Sequence, residues 1–256
     1  MGQAATGGVQ PERTLVPPAG EARIGTFLKT NTVHVIEILG TSPLQFAVVD
    51  AEHAPFDRAA IDLLVLAGRA AGLPVMVRVP DIAPSTLLSV LDAGAAGLLV
   101  PHVDSAAQAR EIVSLTRARR GVRGFSSSTR AAGYGTLPMA QAVAAADGCF
   151  IMAQIESKAA VAAAHDIAAV EGIDGLFVGR ADLALSMGEL DSKSPTVMEG
   201  TKKALDAARA AGKVAGMAVG TAAERHAFAP LGANWFIVGS DQSLLRQGAQ
   251  LAAAPA

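Results

Sequence analysis

What most limits the fold of this chain is a repeated change of texture. Short runs rich in β-branched and other apolar residues alternate with longer stretches of helical character. The apolar runs fall at residues 24–28, 46–50, 74–79, 97–100, 150–155, 175–178, 214–219 and 235–238, eight in all. Residues 58–71, 84–93, 105–118, 158–170 and 201–211 read as helices between them. The runs are apolar at successive positions rather than alternating, as strands covered on both faces must be. Eight such strands with helical crossovers in a chain of 256 residues is the count of a (β/α)8 TIM barrel. A doubly wound open sheet is the alternative fold, but neither a G-x-G-x-x-G fingerprint nor a Walker pattern occurs. Residues 121–130, with the strand-like pair Gly124-Phe125, are assigned to a long connection between the fourth and fifth strands. Residues 1–20 are rich in Gly, Ala, Pro and Gln and close with Pro17-Pro18; they read as a flexible N-terminal arm ahead of a barrel domain over 21–256.

Composition removes several classes of function. Hydrophobic residues make up 51% and charged residues 17%, which excludes a disordered chain and supports a buried core. With 21 Lys and Arg against 23 Asp and Glu, the net charge is −2 and no basic run is present, so no nucleic-acid partner is expected. Mean hydropathy is +0.36, yet no uninterrupted apolar stretch reaches the roughly 18 residues of a spanning helix. The N-terminus has no charged flank followed by an apolar signal core, so a cytoplasmic location is expected. Met1-Gly2 with Thr6 fits the loose N-myristoylation pattern, which is short and matched by chance in many chains. The one cysteine, Cys149, excludes an internal disulfide framework and multi-thiolate metal sites. It opens an apolar run and reads as a buried, inert thiol.

In a barrel, the carboxyl ends of the strands face the active site. Here those ends carry Asp50, Glu52 and His53 after the second strand, Arg78 on the third and Pro101-His102 after the fourth. Gln154 and Glu156 end the fifth, Gly179-Arg-Ala-Asp182 follows the sixth, and Gly220 and Gly239-Ser240 follow the last two. Each residue alone has an ordinary reading. Asp50 is placed to cap a helix, Glu156 and Asp182 to be solvated loop acids, and Arg78 to pair with Asp50 or Glu52. His34, His165 and His226 fall in helical stretches and read as surface or packing residues. Taken together, Glu156 and Asp182 on neighbouring strands would repel unless a hard cation lay between them. The absence of clustered His and Cys argues against structural zinc.

The run Phe46-Ala-Val-Val-Asp-Ala-Glu-His-Ala-Pro55 resembles the second-strand motif of the HpcH/HpaI aldolases, metal-dependent class II pyruvate aldolases. Matches continue in order with Pro74-Val-Met-Val-Arg78, Leu91-Asp-Ala-Gly, Leu98-Leu-Val-Pro101, Ala153-Gln-Ile-Glu156, and Gly172-Ile-Asp-Gly-Leu-Phe-Val-Gly179 running into Ala181-Asp-Leu183. The likeness covers residues 24–246. It implies a barrel of the phosphoenolpyruvate/pyruvate type and the reversible cleavage of a 4-hydroxy-2-oxo acid to pyruvate and an aldehyde through a metal-stabilised enolate. It further implies that Glu156 and Asp182 hold one divalent ion (Mg2+, Mn2+ or Co2+). Gln154, Asp182 and the backbone amide of Ala181 would contact substrate, Arg78 would stabilise the enolate oxygen, His53 would be the general base, and Asp92 would raise the basicity of that histidine. Departures are Ala51 and Arg180, where glycine and proline are expected, Phe56 after the Ala-Pro pair, a loosely matching segment 123–130, and Tyr134 near the usual tryptophan. They bear on the aldehyde partner rather than on the core chemistry.

Asp92 lies at the far end of the helix over 84–93, which spans about 15 Å at 1.5 Å per residue. It is therefore expected to serve the His53 of a neighbouring subunit, and the resemblance implies a homo-oligomer, a hexamer built as a trimer of dimers, with residues 242–251 packing against a partner as an exchanged helix. Three other readings stand beside the metal aldolase. A Schiff-base aldolase would use Lys29 or Lys158, which come near strand ends but lack an apolar pocket sequence. A citrate-lyase-like enzyme acting on a CoA thioester would need a basic, adenine-accepting rim, and a non-catalytic barrel binding 2-oxo acids would not need the set His53, Arg78, Glu156 and Asp182.

Overall fold

Each of the apolar runs forms a strand, and the strands close on themselves. The computed structural model describes residues 15–254. Its strands are β1 (Arg23–Leu28), β2 (Phe46–Asp50), β3 (Val75–Arg78), β4 (Gly97–Val100), β5 (Phe150–Ile155), β6 (Gly175–Val178), β7 (Val214–Val219) and β8 (Trp235–Ser240). They form a closed parallel barrel in chain order, sealed where Arg23 and Ile24 of β1 register with Trp235 and Phe236 of β8. The crossovers are α1 (Val33–Gly40), α2 (Arg58–Ala70), α3 (Pro84–Asp92), α4 (Ala106–Thr116) and α5 (Met139–Asp147). They continue with α6 (Lys158–Ala168), α7 (Arg180–Ser186), α8 (Pro195–Ala210), α9 (Ala222–Phe228) and α10 (Asp241–Ala252). This is the (β/α)8 barrel that the alternation of textures predicts.

The absence of alternation in the strands has a direct cause: both faces are covered. Side chains such as Phe46, Val48, Met76, Phe150, Met152, Phe177 and Trp235 fill the barrel interior. The intervening Ala47, Val49, Val77, Leu98, Ile151 and Val178 pack outward against the helices. Phe46 stacks on Trp235 with ring centroids 3.9 Å apart. Such bulk fits only because neighbouring positions are small; a Cβ on Gly25 would lie 2.3 Å from the Phe46 ring. Loops after the strands end in helix caps. Asp57, Ser105, Ser157 and Ser194 accept first-turn N–H groups of α2, α4, α6 and α8.

Two sequence readings change here. The helix expected over 201–211 begins at Pro195, because Ser194 caps it and Pro195 occupies the first turn, where a missing N–H costs nothing. The arm expected over 1–20 does not reach that far: Leu15 is fully buried and joins the interior cluster with Phe46 and Trp235. Residues 1–14, with the N-myristoylation pattern, lie outside the described residues. Segment 121–130 holds no strand. It is pinned by Arg123, which donates to Asp92 at 2.7 Å and to the Ala146 carbonyl at 2.8 Å, and by Arg130, which grips Asp62. Among the described residues no helix is long and apolar enough to cross a membrane. Cys149 is buried, and burial pushes its thiol above the ordinary value, as an inert core residue requires.

Candidate active site

The strand order brings the chargeable strand ends together at one mouth. Asp50, the last residue of β2, is fully buried and registers with Arg78 of β3. Arg78 forks onto its carboxylate, Nε to Oδ1 at 2.8 Å and Nη2 to Oδ2 at 2.7 Å, while Lys29 Nζ reaches Oδ2 at 2.9 Å. Burial alone would raise the Asp50 carboxyl, but hydrogen bonds and charge from Arg78 and Lys29 outweigh it and hold the group below the ordinary aspartate value. Asp50 also accepts the backbone N–H of His53 at 3.2 Å. It therefore positions both the arginine and the histidine rather than capping a helix; Asp57 does that. Arg78 lies over the Phe27 ring at 4.7 Å, and its Nη1 makes no hydrogen bond among the described residues.

From Arg78 a chain of contacts runs across the mouth. Nε lies 3.2 Å from Glu52 Oε2, and Glu52 Oε1 lies 3.3 Å from His102 Nε2. His102 Nδ1 in turn lies 3.0 Å from Glu156 Oε1, which also accepts the His102 backbone N–H at 2.7 Å. The double contact depends on local backbone: His102 has φ 56, a left-handed conformation uncommon outside glycine and characteristic of functional sites. Gln154, buried beside it, donates to Glu156 Oε2, while its own Oε1 and Glu52 Oε2 are buried with no hydrogen-bond partner. Burial raises the Glu156 carboxyl, bonds from Gln154 and His102 counter part of that, and the charge of Asp182 raises it further. Gly179 makes this crowding possible, since a Cβ there would sit 2.8 Å from Glu156 Oε2. Asp182 lies in the first turn of α7, whose N-terminus has no side-chain cap. The first N–H groups of that helix, Ala181's among them, are left for another acceptor.

His53 stands half exposed at the mouth, its Nε2 3.7 Å from Glu52 Oε2. Asp92 is not beside it. It sits at the other end of the barrel, on the last residue of α3, and pairs with Arg123. Within one chain, then, the structure gathers His53, Arg78, Gln154, Glu156, Ala181 and Asp182, and leaves Asp92 apart. Lys29 is held by Asp50, not set in the apolar pocket that a Schiff-base lysine needs. The sequence reading placed Glu52 and His102 at strand ends and weighed Lys29 only as a Schiff-base lysine; it did not foresee the contacts that join His102 to Glu52 and Glu156, or Lys29 to Asp50. Position just past the carboxyl end of a barrel strand marks the first two residues but not their partners across the mouth.

A sequence profile described as HpcH/HpaI aldolase/citrate lyase matches residues 23–248. The chain is 39% identical over 227 residues to a hydroxypyruvate/pyruvate aldolase of Agrobacterium fabrum, covering 87% of this chain and 85% of that one. It is 34% identical over 236 residues to a 5-keto-4-deoxy-D-glucarate aldolase of Klebsiella pneumoniae, covering 91% of each. The crystal structure of an HpcH/HpaI aldolase/citrate lyase family protein from Burkholderia cenocepacia superposes with a TM-score of 0.86 at 32% identity, over 91% of this chain and 93% of that one.

Proposed function

The chain belongs to the HpcH/HpaI aldolase/citrate lyase family, and from that premise we propose that it is a divalent-metal-dependent carbon–carbon lyase that reversibly cleaves a 4-hydroxy-2-oxo acid to pyruvate and an aldehyde. The observation that carries this reading is the continuous contact chain from Arg78 through Glu52 and His102 to Glu156, which ties an enolate-stabilising cation to the Glu156–Asp182 carboxylate pair. The donor set suits Mg2+, Mn2+ or Co2+. Two carboxylates and the unpartnered Gln154 Oε1 are hard oxygens, and an ion of the magnesium type is commonly held by one or two carboxylates with water and substrate completing its shell. Among the described residues no group of three or more His, Cys, Asp or Glu is placed to hold an ion, so in this reading water and substrate complete the shell of an ion on Glu156 and Asp182. When bound, the ion polarises the 2-oxo carbonyl as a Lewis acid.

The chain's own residues do the rest. Gln154 and the Ala181 amide orient the 2-oxo acid. His53, directly or through a water, accepts the proton of the 4-hydroxyl. The C3–C4 bond breaks, the aldehyde leaves, and the electron pair remains as the enolate of pyruvate. Its oxygen develops charge against the free Nη1 donors of Arg78, whose guanidinium Asp50 already holds in place, so little reorganisation is needed. Return of the proton to C3 completes pyruvate, and the reverse sequence is an aldol addition. Asp92 serves the His53 of a second copy in a homo-oligomer, a hexamer in this reading. Supporting an assembly, α10 leaves Leu245 and Leu251 more than three-quarters exposed, at 77% and 78%.

The relatives' names cover hydroxypyruvate and a glucarate derivative, so they leave the aldehyde open. The test is pyruvate release from a panel of 4-hydroxy-2-oxo acids by metal-scrubbed protein, with Mg2+, Mn2+ or Co2+ restored. Activity that returns with the ion supports the proposal. Activity that persists in EDTA, with a borohydride-trapped pyruvate adduct, would replace it with a lysine mechanism. Mixing His53→Ala with Asp92→Asn chains should restore part of the activity if the two residues meet across subunits; no recovery in verified mixed oligomers would remove Asp92 from the site.

A further inference from the structure

The two carboxylate oxygens of Glu156, just past the end of β5, have unlike surroundings. Oε1 is covered by a single residue. The backbone N–H of His102 donates to it at 2.7 Å, and the His102 ring Nδ1 stands 3.0 Å from it. Both contacts exist because His102 has φ 56, a left-handed conformation that a residue with a Cβ adopts only at a steric cost. Neighbours on either side keep it there. The ring Nε2 lies 3.3 Å from Glu52 Oε1, and Glu52 is itself braced by Arg78 Nε at 3.2 Å. The next residue, Val103, rejoins β5 by donating its N–H to the Gln154 carbonyl at 3.3 Å. Oε2 is different. It accepts a hydrogen bond from Gln154 Nε2 and otherwise faces Gly179, where a Cβ would sit 2.8 Å from it. Gly179 is the residue before α7, and Asp182 lies in the first turn of that helix. With two acceptor sites on each oxygen, His102 occupies those of Oε1, and one site on Oε2 stays open towards α7.

We propose that His102 is a positioning residue that restricts Glu156 to ligation through one oxygen, Oε2, and so makes the site select small octahedral ions such as Mg2+ against Ca2+. The proposal rests on the metal-aldolase reading and deepens it by naming the residue that chooses the ion. The two ions make different demands. Ca2+ takes roughly six to eight oxygens in a flexible shell and readily uses both oxygens of a carboxylate, whereas Mg2+ requires near-octahedral geometry at about 2.0–2.1 Å and binds single oxygens. A carboxylate whose Oε1 is covered can offer only the second kind of bond. Groups that orient a metal ligand in this way typically contribute about 10- to 100-fold to affinity or activity. His102 acts through Glu156 and not as a ligand itself, since among the described residues no group of three or more His, Cys, Asp or Glu is placed to hold an ion.

The experiment titrates the whole, metal-scrubbed chain with Mn2+, reads free Mn2+ by electron paramagnetic resonance, and obtains Mg2+ and Ca2+ affinities by displacement. It compares the wild type with His102→Gly and His102→Asn. Glycine keeps the left-handed backbone and its N–H but removes the ring, while asparagine tolerates that backbone and returns a side-chain nitrogen. The wild type should bind Mg2+ more tightly than Ca2+. His102→Gly should lower that preference by about 10-fold, and His102→Asn should keep part of it. The visible absorption of the Co2+-loaded protein should shift in His102→Gly, as Oε1 becomes free to ligate. The thermal midpoint of metal-free His102→Gly should not fall below that of the wild type, because glycine relieves the strain at this position. A Mg2+-over-Ca2+ preference unchanged in His102→Gly overturns the proposal, and a lower metal-free midpoint beside that unchanged preference would make His102 a structural residue. A wild type that binds these ions without selection defeats this inference alone, whereas a wild type that binds none of them defeats the metal reading beneath it.

Discussion

On the β2-to-β5 side of the mouth, each buried charge lies against an opposite charge or a hydrogen-bond donor; on the β7–β8–β1 side, Arg180 lines an open cavity of about 410 Å3. Asp50 has Arg78 and Lys29, and Glu156 has Gln154 and His102. Arg180 has a carbonyl, an aromatic face and the Glu224 carboxylate at 3.5 Å. The difference is one of preorganisation. Stabilising an enolate demands dipoles and charges fixed before the reaction, since any reorganisation adds to the barrier. In the proposed function, the side that matches the family's motifs has this task.

The sharpest way to break this contrast is to remove a carboxylate from the prebuilt side. Glu156→Gln or Asp182→Ala should abolish divalent-ion binding by calorimetry and lower kcat by more than about 10³-fold, with the circular dichroism spectrum unchanged. Full activity of either variant in metal-scrubbed buffer would contradict the site. Next in size is Asp50→Ala, which strands a buried guanidinium and should cost about 3–5 kcal/mol in denaturant unfolding. The pH dependence follows from a folded-state value below the unfolded one. The Asp50 contribution is fully present above the ordinary aspartate value near ~3.9 and is lost as pH falls through the lower folded value. The stability gap between wild type and variant should therefore narrow in acid; a gap independent of pH would mean the ion pair contributes nothing. Smallest of the three is Arg78→Lys, expected to lower kcat about 10²-fold, because an ammonium cannot both fork onto Asp50 and present donors to the enolate oxygen. Wild-type turnover would reduce Arg78 to a structural partner of Asp50.

Much of the prebuilt side was legible before any coordinates, for a physical reason. Parallel strands put their carboxyl ends on one face, so Asp50, Arg78, Gln154 and Glu156 had to converge once the strands were placed. The strands themselves were readable because burial on both faces removes polar residues from them. Other features depend on contacts between segments far apart in the chain. The pairing of Lys29 with Asp50 needs the β1–β2 register, and the placing of Arg180 beside Glu224 brings α7 against α9. His102 acquires its role from a left-handed backbone that no residue pattern announces. Leu15 looked like part of an arm because a single buried residue carries no periodicity, and the early start of α8 was marked by Ser194-Pro195 and passed over. Asp92 shows the converse: its distance from His53 followed from helix length alone, while its partner Arg123 did not.

The central claim is that pyruvate is enolised at this mouth with the help of an ion held by Glu156 and Asp182. Its most direct test is deuterium incorporation into the methyl group of pyruvate in D2O, followed by proton NMR without any aldehyde present. The account predicts exchange by metal-scrubbed protein only after Mg2+ is restored, suppression by EDTA, and none above background for Glu156→Gln. Exchange that continues undiminished in EDTA, or that survives in Glu156→Gln, would contradict it.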